Sequence, residues 1–176
     1  AAAKQVSLTE LGSIRINKEE RSKMLKTIPR NSIVGFFIGV LPGAGATIAS
    51  FLAYGMERNF VNDEEKEKFG KGSVHGLAAP ETANNAACSG AFVPLLTLGI
   101  PGSGTTAVML GALLGFGIQP GPRLYITNPE IFWSVIMSMY IGMVILLILN
   151  LPLIPYIARI LAVTKNYLIP LILFFT

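Results

Sequence analysis

The sequence predicts an all-α polytopic membrane protein, a fragment of a longer chain, with two broken or re-entrant helix units at Pro-Gly-x-Gly breaks and one full transmembrane helix. Three observations carry this. The 176 residues are 52% hydrophobic and only 14% charged, whereas a soluble domain carries about 25% charged residues. Lys and Arg crowd residues 1–30 and 58–71, on the flanks of apolar runs. That is the positive-inside pattern, without the aromatic-basic interleaving of a nucleic-acid surface. Finally, Pro-Gly-x-Gly-x-Thr occurs twice, as "PGAGAT" at 42–47 and "PGSGTT" at 101–106. Cys88 is the only cysteine, which excludes an intrachain disulfide and a cysteine-based zinc cluster.

Residues 1–32 are expected to be a loop and a surface amphipathic helix, opened by a capping box at Asn17 and Glu20, with Met24, Leu25 and Ile28 on one face and Pro29 as its end. Residues 33–56 form the first broken helix or hairpin. Its two arms around Pro42, Gly43 and Gly45 have about nine residues each, or about 14 Å, half of a hydrocarbon core. Residues 57–71 form a charged connecting helix with a cap-like start at Asn62 and Glu65 and a stop at Gly70.

Residues 72–122 form the second broken unit, containing the segment Glu-Thr-Ala-Asn-Asn; its arms around Pro101, Gly102 and Gly104 are about twelve residues each, about 18 Å. After a loop over 123–130, residues 131–151 are an uninterrupted apolar run with Trp133 as interfacial anchor, long enough to cross. Residues 152–176 are expected to be a loop and the start of a further transmembrane segment. The chain has no initial Met and stops inside an apolar run, as a piece of a longer polytopic protein would.

Non-helical backbone is tolerated at membrane depth only where protein or a watery cavity surrounds it, so the two breaks should face an interior site. Glycine brings backbone close to a ligand, and the helix after each break presents unpaired N–H groups and its positive dipole end, which suits a carboxylate. The substrate-binding candidates are therefore Gly43, Ala44, Gly45 and Thr47 at the first break and Gly102, Ser103, Gly104, Thr105 and Thr106 at the second. A kink or an extramembrane turn is the plainer reading of each break, and the hydroxyls can also back-bond to their own helices. Glu81, Asn84 and Asn85 are candidates for cation or proton coupling, since ionisable groups inside a membrane are usually functional. Against this, Pro80 in a first helical turn would place Glu81 beside the macrodipole at an interface, and the asparagines would serve as interhelical hydrogen-bonding residues. His75, beside a basic loop, reads as interfacial.

The stretches "GVLPGAGATIASFLAY", "FGKGSVHGLAAPETANNA", "PLLTLGIPGSGTTAVMLGAL" and "GIQPGP" resemble the large membrane subunit of the bacterial tripartite tricarboxylate transporters, from about Ile33 to Pro122. The resemblance implies a multi-pass inner-membrane protein about three times this length, with a related pair of glycine breaks in its other half. It also implies a small membrane subunit and a periplasmic binding protein as partners, citrate or another carboxylate as substrate, and import driven by an ion gradient. No nucleic acid and no cofactor are expected beyond a co-transported Na⁺ or H⁺.

No Lys or Arg lies between Lys71 and Arg123, so backbone amides, hydroxyls and a co-transported cation would have to compensate the anion. Enzyme classes fit poorly. "GIPGSGTT" lacks the Lys of a phosphate-binding loop, and Ser103 lacks the Gly-x-Ser-x-Gly setting of a hydrolase nucleophile. A channel-like or structural membrane subunit is the alternative.

Overall fold

The computed structural model describes residues 16–175, which form eight helices and, among the described residues, no strand. They belong to two units, one spanning Ile16–Val135 and the other containing Ile136 onward. The loop expected at the start of the chain lies outside the described residues.

Helix α1 (Lys18–Val40) opens on the expected capping box: Asn17 Oδ1 accepts from the Glu20 amide at 2.7 Å, and Glu20 Oε2 accepts from the Asn17 amide at 2.9 Å. It does not end at Pro29, as the sequence suggested, but runs through it to Val40. An interior proline costs about 3 kcal/mol in an isolated helix. Here both neighbouring turns are held, because Thr27 and Asn31 are fully buried and bonded across to other helices.

The chain then turns through Leu41–Ala44, with Gly43 at φ +81° and Gly45 at φ +65°, a region that residues with a Cβ avoid. Helix α2 (Gly45–Phe60) returns beside α1: Glu57, near its end, reaches Thr27, Arg30 and Asn31, near the start of α1. The first break is thus the tip of an antiparallel helical hairpin. A short helix, α3 (Asp63–Glu67), comes next, its start capped by Asn62 as expected.

Helix α4 (Val74–Gly90) starts at Ser73, whose hydroxyl accepts from the Gly76 amide. Pro80 therefore lies in its interior and not in its first turn, so the reading of Glu81 as a partner of the helix dipole is corrected. Helix α4 runs parallel to α1 in a constant register. His75 meets Thr27, a Cβ on Gly35 would collide with the backbone of Ala83, and a Cβ on Gly39 would collide with that of Ala87. Small residues every fourth position (Gly35 and Gly39 against Ala79, Ala83 and Ala87) let the two backbones touch, which is the packing that membrane helices favour. Ala49 and Ala53 of α2 complete this core.

The arm before the second break is two helices, where one was expected. Helix α4 gives way at Ala91 to α5 (Phe92–Leu98), because Pro94 has no N–H for the Gly90 carbonyl. Gly99, left-handed at φ +70°, stops α5, with the Ile100 amide donating to the Pro94 carbonyl. After the break come α6 (Gly104–Gly115) and the short α7 (Leu124–Thr127).

Helix α8 (Pro129–Phe175) begins in the first unit, where Phe132 stacks edge-on against Tyr125 and Trp133. Its Pro129–Ile154 portion is the one helix among the described residues long and apolar enough to cross a membrane, and it contains the expected 131–151 span. The loop expected after residue 151 is helical instead. Leu and Ile dominate that stretch, and Pro152, Pro155 and Pro170 each remove only one backbone donor from the ladder.

Candidate functional site

Because α1 and α4 run the same way, the breaks beyond their C-terminal ends fall at the same end of the bundle. There they line one open cavity of about 650 Å³. Gly43, Gly45 and Thr47 come from the first break and Gly102, Ser103, Gly104, Thr105 and Thr106 from the second, with Ala87, Cys88 and Ala91 between them. Ala44 is the cap residue of α2 and is not part of the lining. The second break is pressed onto the bundle, since a Cβ on Gly102 would stand 3.3 Å from the Gly39 carbonyl oxygen and 3.2 Å from the Ala91 Cβ.

Two helix starts open into this cavity, and they differ. At α6, Ser103 and Thr106 cap each other: the Ser103 amide donates to Thr106 Oγ1 at 2.8 Å, and the Thr106 amide donates to Ser103 Oγ at 3.3 Å. Thr106 also donates its hydroxyl proton to the Ser103 carbonyl at 2.9 Å, so this side chain serves the helix end. At α2, Ala44 offers no side-chain cap. The first-turn amides of a helix lack intrahelical acceptors, so α2 presents the less committed donor set. The cavity lining contains neither a basic nor an acidic residue.

Glu81, Asn84 and Asn85 lie elsewhere on α4. Asn84 Nδ2 donates to Ser50 Oγ of α2 at 3.1 Å, an interhelical bond, and Asn85 Nδ2 donates back to the Glu81 carbonyl at 2.9 Å. Glu81 and Asn85 are exposed, and none of the three lines the cavity.

A second polar centre was not anticipated. Glu57, 0% exposed, sits at the far end of the hairpin and accepts from Thr27 Oγ1 (2.9 Å), from Arg30 Nη2 (2.6 Å) and Nε (3.1 Å), and from Asn31 Nδ2 (2.8 Å). His75 Nδ1 lies 2.7 Å from Thr27 Oγ1 and 3.2 Å from Glu57 Oε1. Thr27 has one hydroxyl proton, and the carboxylate takes it. His75 Nδ1 must therefore carry a hydrogen and donate, which leaves Nε2 as its other ring nitrogen. Burial pushes the Glu57 carboxyl up, but the bonds from Arg30, Asn31 and Thr27 outweigh it and hold the group below the usual carboxylate range. In sequence, only "PRN" at 29–31 and a lone Glu in "YGMERNF" marked this centre, and neither has a motif's spacing.

A carboxylate whose pKa is depressed in the folded state contributes stability above its unfolded pKa, about 4.3 for Glu, and loses it as pH falls through the folded value. Below about pH 4 the protein should therefore lose thermal stability steeply. Glu57→Gln should flatten that acid limb while lowering the neutral-pH plateau. An unchanged limb, measured by thermal unfolding across pH, would place the acid sensitivity elsewhere.

The described residues combine one helix of membrane length with a cavity where two Pro-Gly-x-Gly breaks meet, features in keeping with a membrane protein. Comparison with known proteins agrees: the tripartite tricarboxylate transporter TctA family pattern matches residues 1–176, and the chain belongs to that family. It is similar to an uncharacterized 52.8 kDa protein in the TAR-I ttuC' 3' region of Agrobacterium vitis, 40% identical over 172 residues, covering 98% of this chain and 34% of the relative. It is also similar to an uncharacterized protein in the TAR-II ttuC' 3' region of the same organism, 45% identical over 141 residues, covering 80% of this chain and 57% of the relative. The chain thus spans about a third of the first relative and somewhat over half of the second. No solved structure matches it.

Proposed function

We propose that this chain carries one half of the substrate site of a secondary importer for di- or tricarboxylates such as citrate, driven by an inward Na⁺ or H⁺ gradient. In this reading it is part of a multi-pass subunit of the bacterial inner membrane, working with a small membrane subunit and a periplasmic binding protein. The observation that supports it most is the meeting of the two Pro-Gly-x-Gly-x-Thr segments in one cavity lined by two helix starts and no fixed charge. Amides and dipole ends suit a carboxylate there. Without a basic side chain, the remaining anionic charge calls for a co-transported cation. Glu81, Asn84 and Asn85 remain the candidates for that cation, completed by groups from the rest of the subunit. A channel would share the cavity but not the coupling.

The test is labelled citrate uptake by proteoliposomes containing the full-length protein and its partner subunits. Uptake above the equilibrium level only under an inward Na⁺ or proton gradient is expected. Uptake indifferent to both ions contradicts the coupling, and non-saturable flux favours the channel. In the same assay Thr47→Ala and Thr105→Ala should each raise KM about tenfold, the usual order for a lost hydrogen bond to a charged group. Both residues are exposed, so thermal stability should not change.

A further inference from the structure

Beyond the carboxylate cavity, a second cleft of about 310 Å³ lies at the opposite end of the hairpin, beside the Glu57 centre. Ser22, Lys23, Lys26 and Arg30 of α1 line it, with Phe60 at the end of α2 and His75 of α4. Its charges are not all neutralised. Lys23 is shared between Glu19 (2.7 Å) and Glu65 (3.1 Å), and Arg30 is spent on Glu57 while its guanidinium lies 4.4 Å from the centre of the Phe60 ring. Glu65, also in the lining, is held by Lys23 and Lys68. Lys26 has no acidic partner among the described residues, so the cleft keeps an excess positive charge with the Ser22 hydroxyl one turn away.

Farther along α1 the same face turns apolar. At about 100° per residue, Ser22, Lys26 and Arg30 share one face of the helix with Ile33 and Phe37, all within an arc of about 80°, and Leu41 continues it. Ile33, Phe37 and Leu41 are 61%, 66% and 59% exposed. A cationic, hydroxyl-bearing cleft thus leads directly into an exposed apolar strip about 12 Å long, counted from Ile33 to Leu41 at 1.5 Å per residue. A soluble anion would use the first part and have no use for the second. A lipid uses both.

We propose that this cleft binds the phosphate headgroup of an anionic phospholipid, with an acyl chain lying along the Ile33–Phe37–Leu41 strip. Lys26 supplies the free charge, Ser22 a hydroxyl donor, and Lys23 a further ammonium at the rim. The lipid would seal the basic end of the hairpin, where α1, α2 and α4 are joined through Glu57. The proposal rests on a membrane setting and not on the transported substrate, so failure of the uptake reading would leave it standing.

The test uses purified, delipidated full-length protein, with lipid retention followed by native mass spectrometry and stability by thermal unfolding. Phosphatidylglycerol, phosphatidylcholine, inorganic phosphate and glycerol phosphate are compared. Selective retention of phosphatidylglycerol with a raised Tm is expected, with no such effect from the two water-soluble phosphates. Lys26→Gln should weaken phosphatidylglycerol binding about fivefold, the usual worth of one basic residue at an anionic lipid surface, and leave the lipid-free Tm unchanged. Lys71→Gln, outside the cleft, should change neither. Equal retention of phosphatidylcholine would overturn the proposal, as would equal stabilisation by a soluble phosphate. Unaltered phosphatidylglycerol affinity in both Lys26→Gln and Lys23→Gln would do the same.

Discussion

Glu57→Ala is expected to cost about 3 kcal/mol or more, because removing one partner of a buried ion pair leaves the other charge uncompensated. Arg30 loses both of its bonds to the carboxylate, and the Asn31 amide and Thr27 hydroxyl lose theirs, inside a region that is 0% exposed at Glu57, Asn31 and Thr27. The Arg30 side chain is one-third exposed and can turn partly to water, which keeps the figure at the lower end of the usual range. The effect is a large drop in Tm for detergent-solubilised protein. Replacing both charges, as Glu57→Leu with Arg30→Met, should recover part of it, since the apolar pair leaves no uncompensated charge, while the Thr27 hydroxyl and the Asn31 amide still lack the carboxylate as acceptor. If the double variant were as unstable as Glu57→Ala, the charge pairing would not be what holds the three helices.

Gly39→Leu should be at least as damaging, for a steric reason. A Cβ at Gly39 would collide with the backbone of Ala87, and neither partner is the flexible end of a side chain. Helices α1 and α4 would have to separate, and with them the two breaks that line the cavity. Loss of folded protein is the expected outcome, seen as aggregation in size-exclusion chromatography. The control is Gly55→Ala in α2, where a Cβ meets nothing within 4 Å. It should stabilise slightly, by up to about 1 kcal/mol. Folded Gly39→Leu protein with an unchanged Tm would mean that α1 and α4 are not in this register.

What could be read from sequence was what local chemistry specifies. The capping box at Asn17 and Glu20, the cap at Asn62 and the long apolar run around 131–151 all depend on near neighbours. The repeated Pro-Gly-x-Gly-x-Thr also pointed to one place, because identical punctuation after two apolar arms suggests a common destination. The errors came where packing overrides propensity. Pro29 and Pro80 looked like helix boundaries, yet contacts of Thr27, Asn31, Ala79 and Ala83 with other helices carry α1 and α4 through them. Pro94, less conspicuous in "AFVPLL", is the proline beside the α4–α5 break. The Glu57 centre was illegible because its members are spread over residues 27–75 and meet only through the α1–α2 hairpin and the parallel register of α1 and α4. Glu81, Asn84 and Asn85 drew notice as polar residues in an apolar stretch, and two of the three face outward.

The central claim is that the two breaks make one carboxylate-binding cavity, and Cys88, exposed within its lining, gives direct access to it. The measurement is the rate of maleimide labelling of Cys88 in reconstituted full-length protein that retains it as its only cysteine, with and without citrate and Na⁺. Slowing of labelling by citrate in the presence of Na⁺, saturating at the concentration that half-saturates uptake, is the predicted result. A labelling rate unaffected by any transported carboxylate, in protein that still carries out uptake, would place the substrate elsewhere and contradict the account.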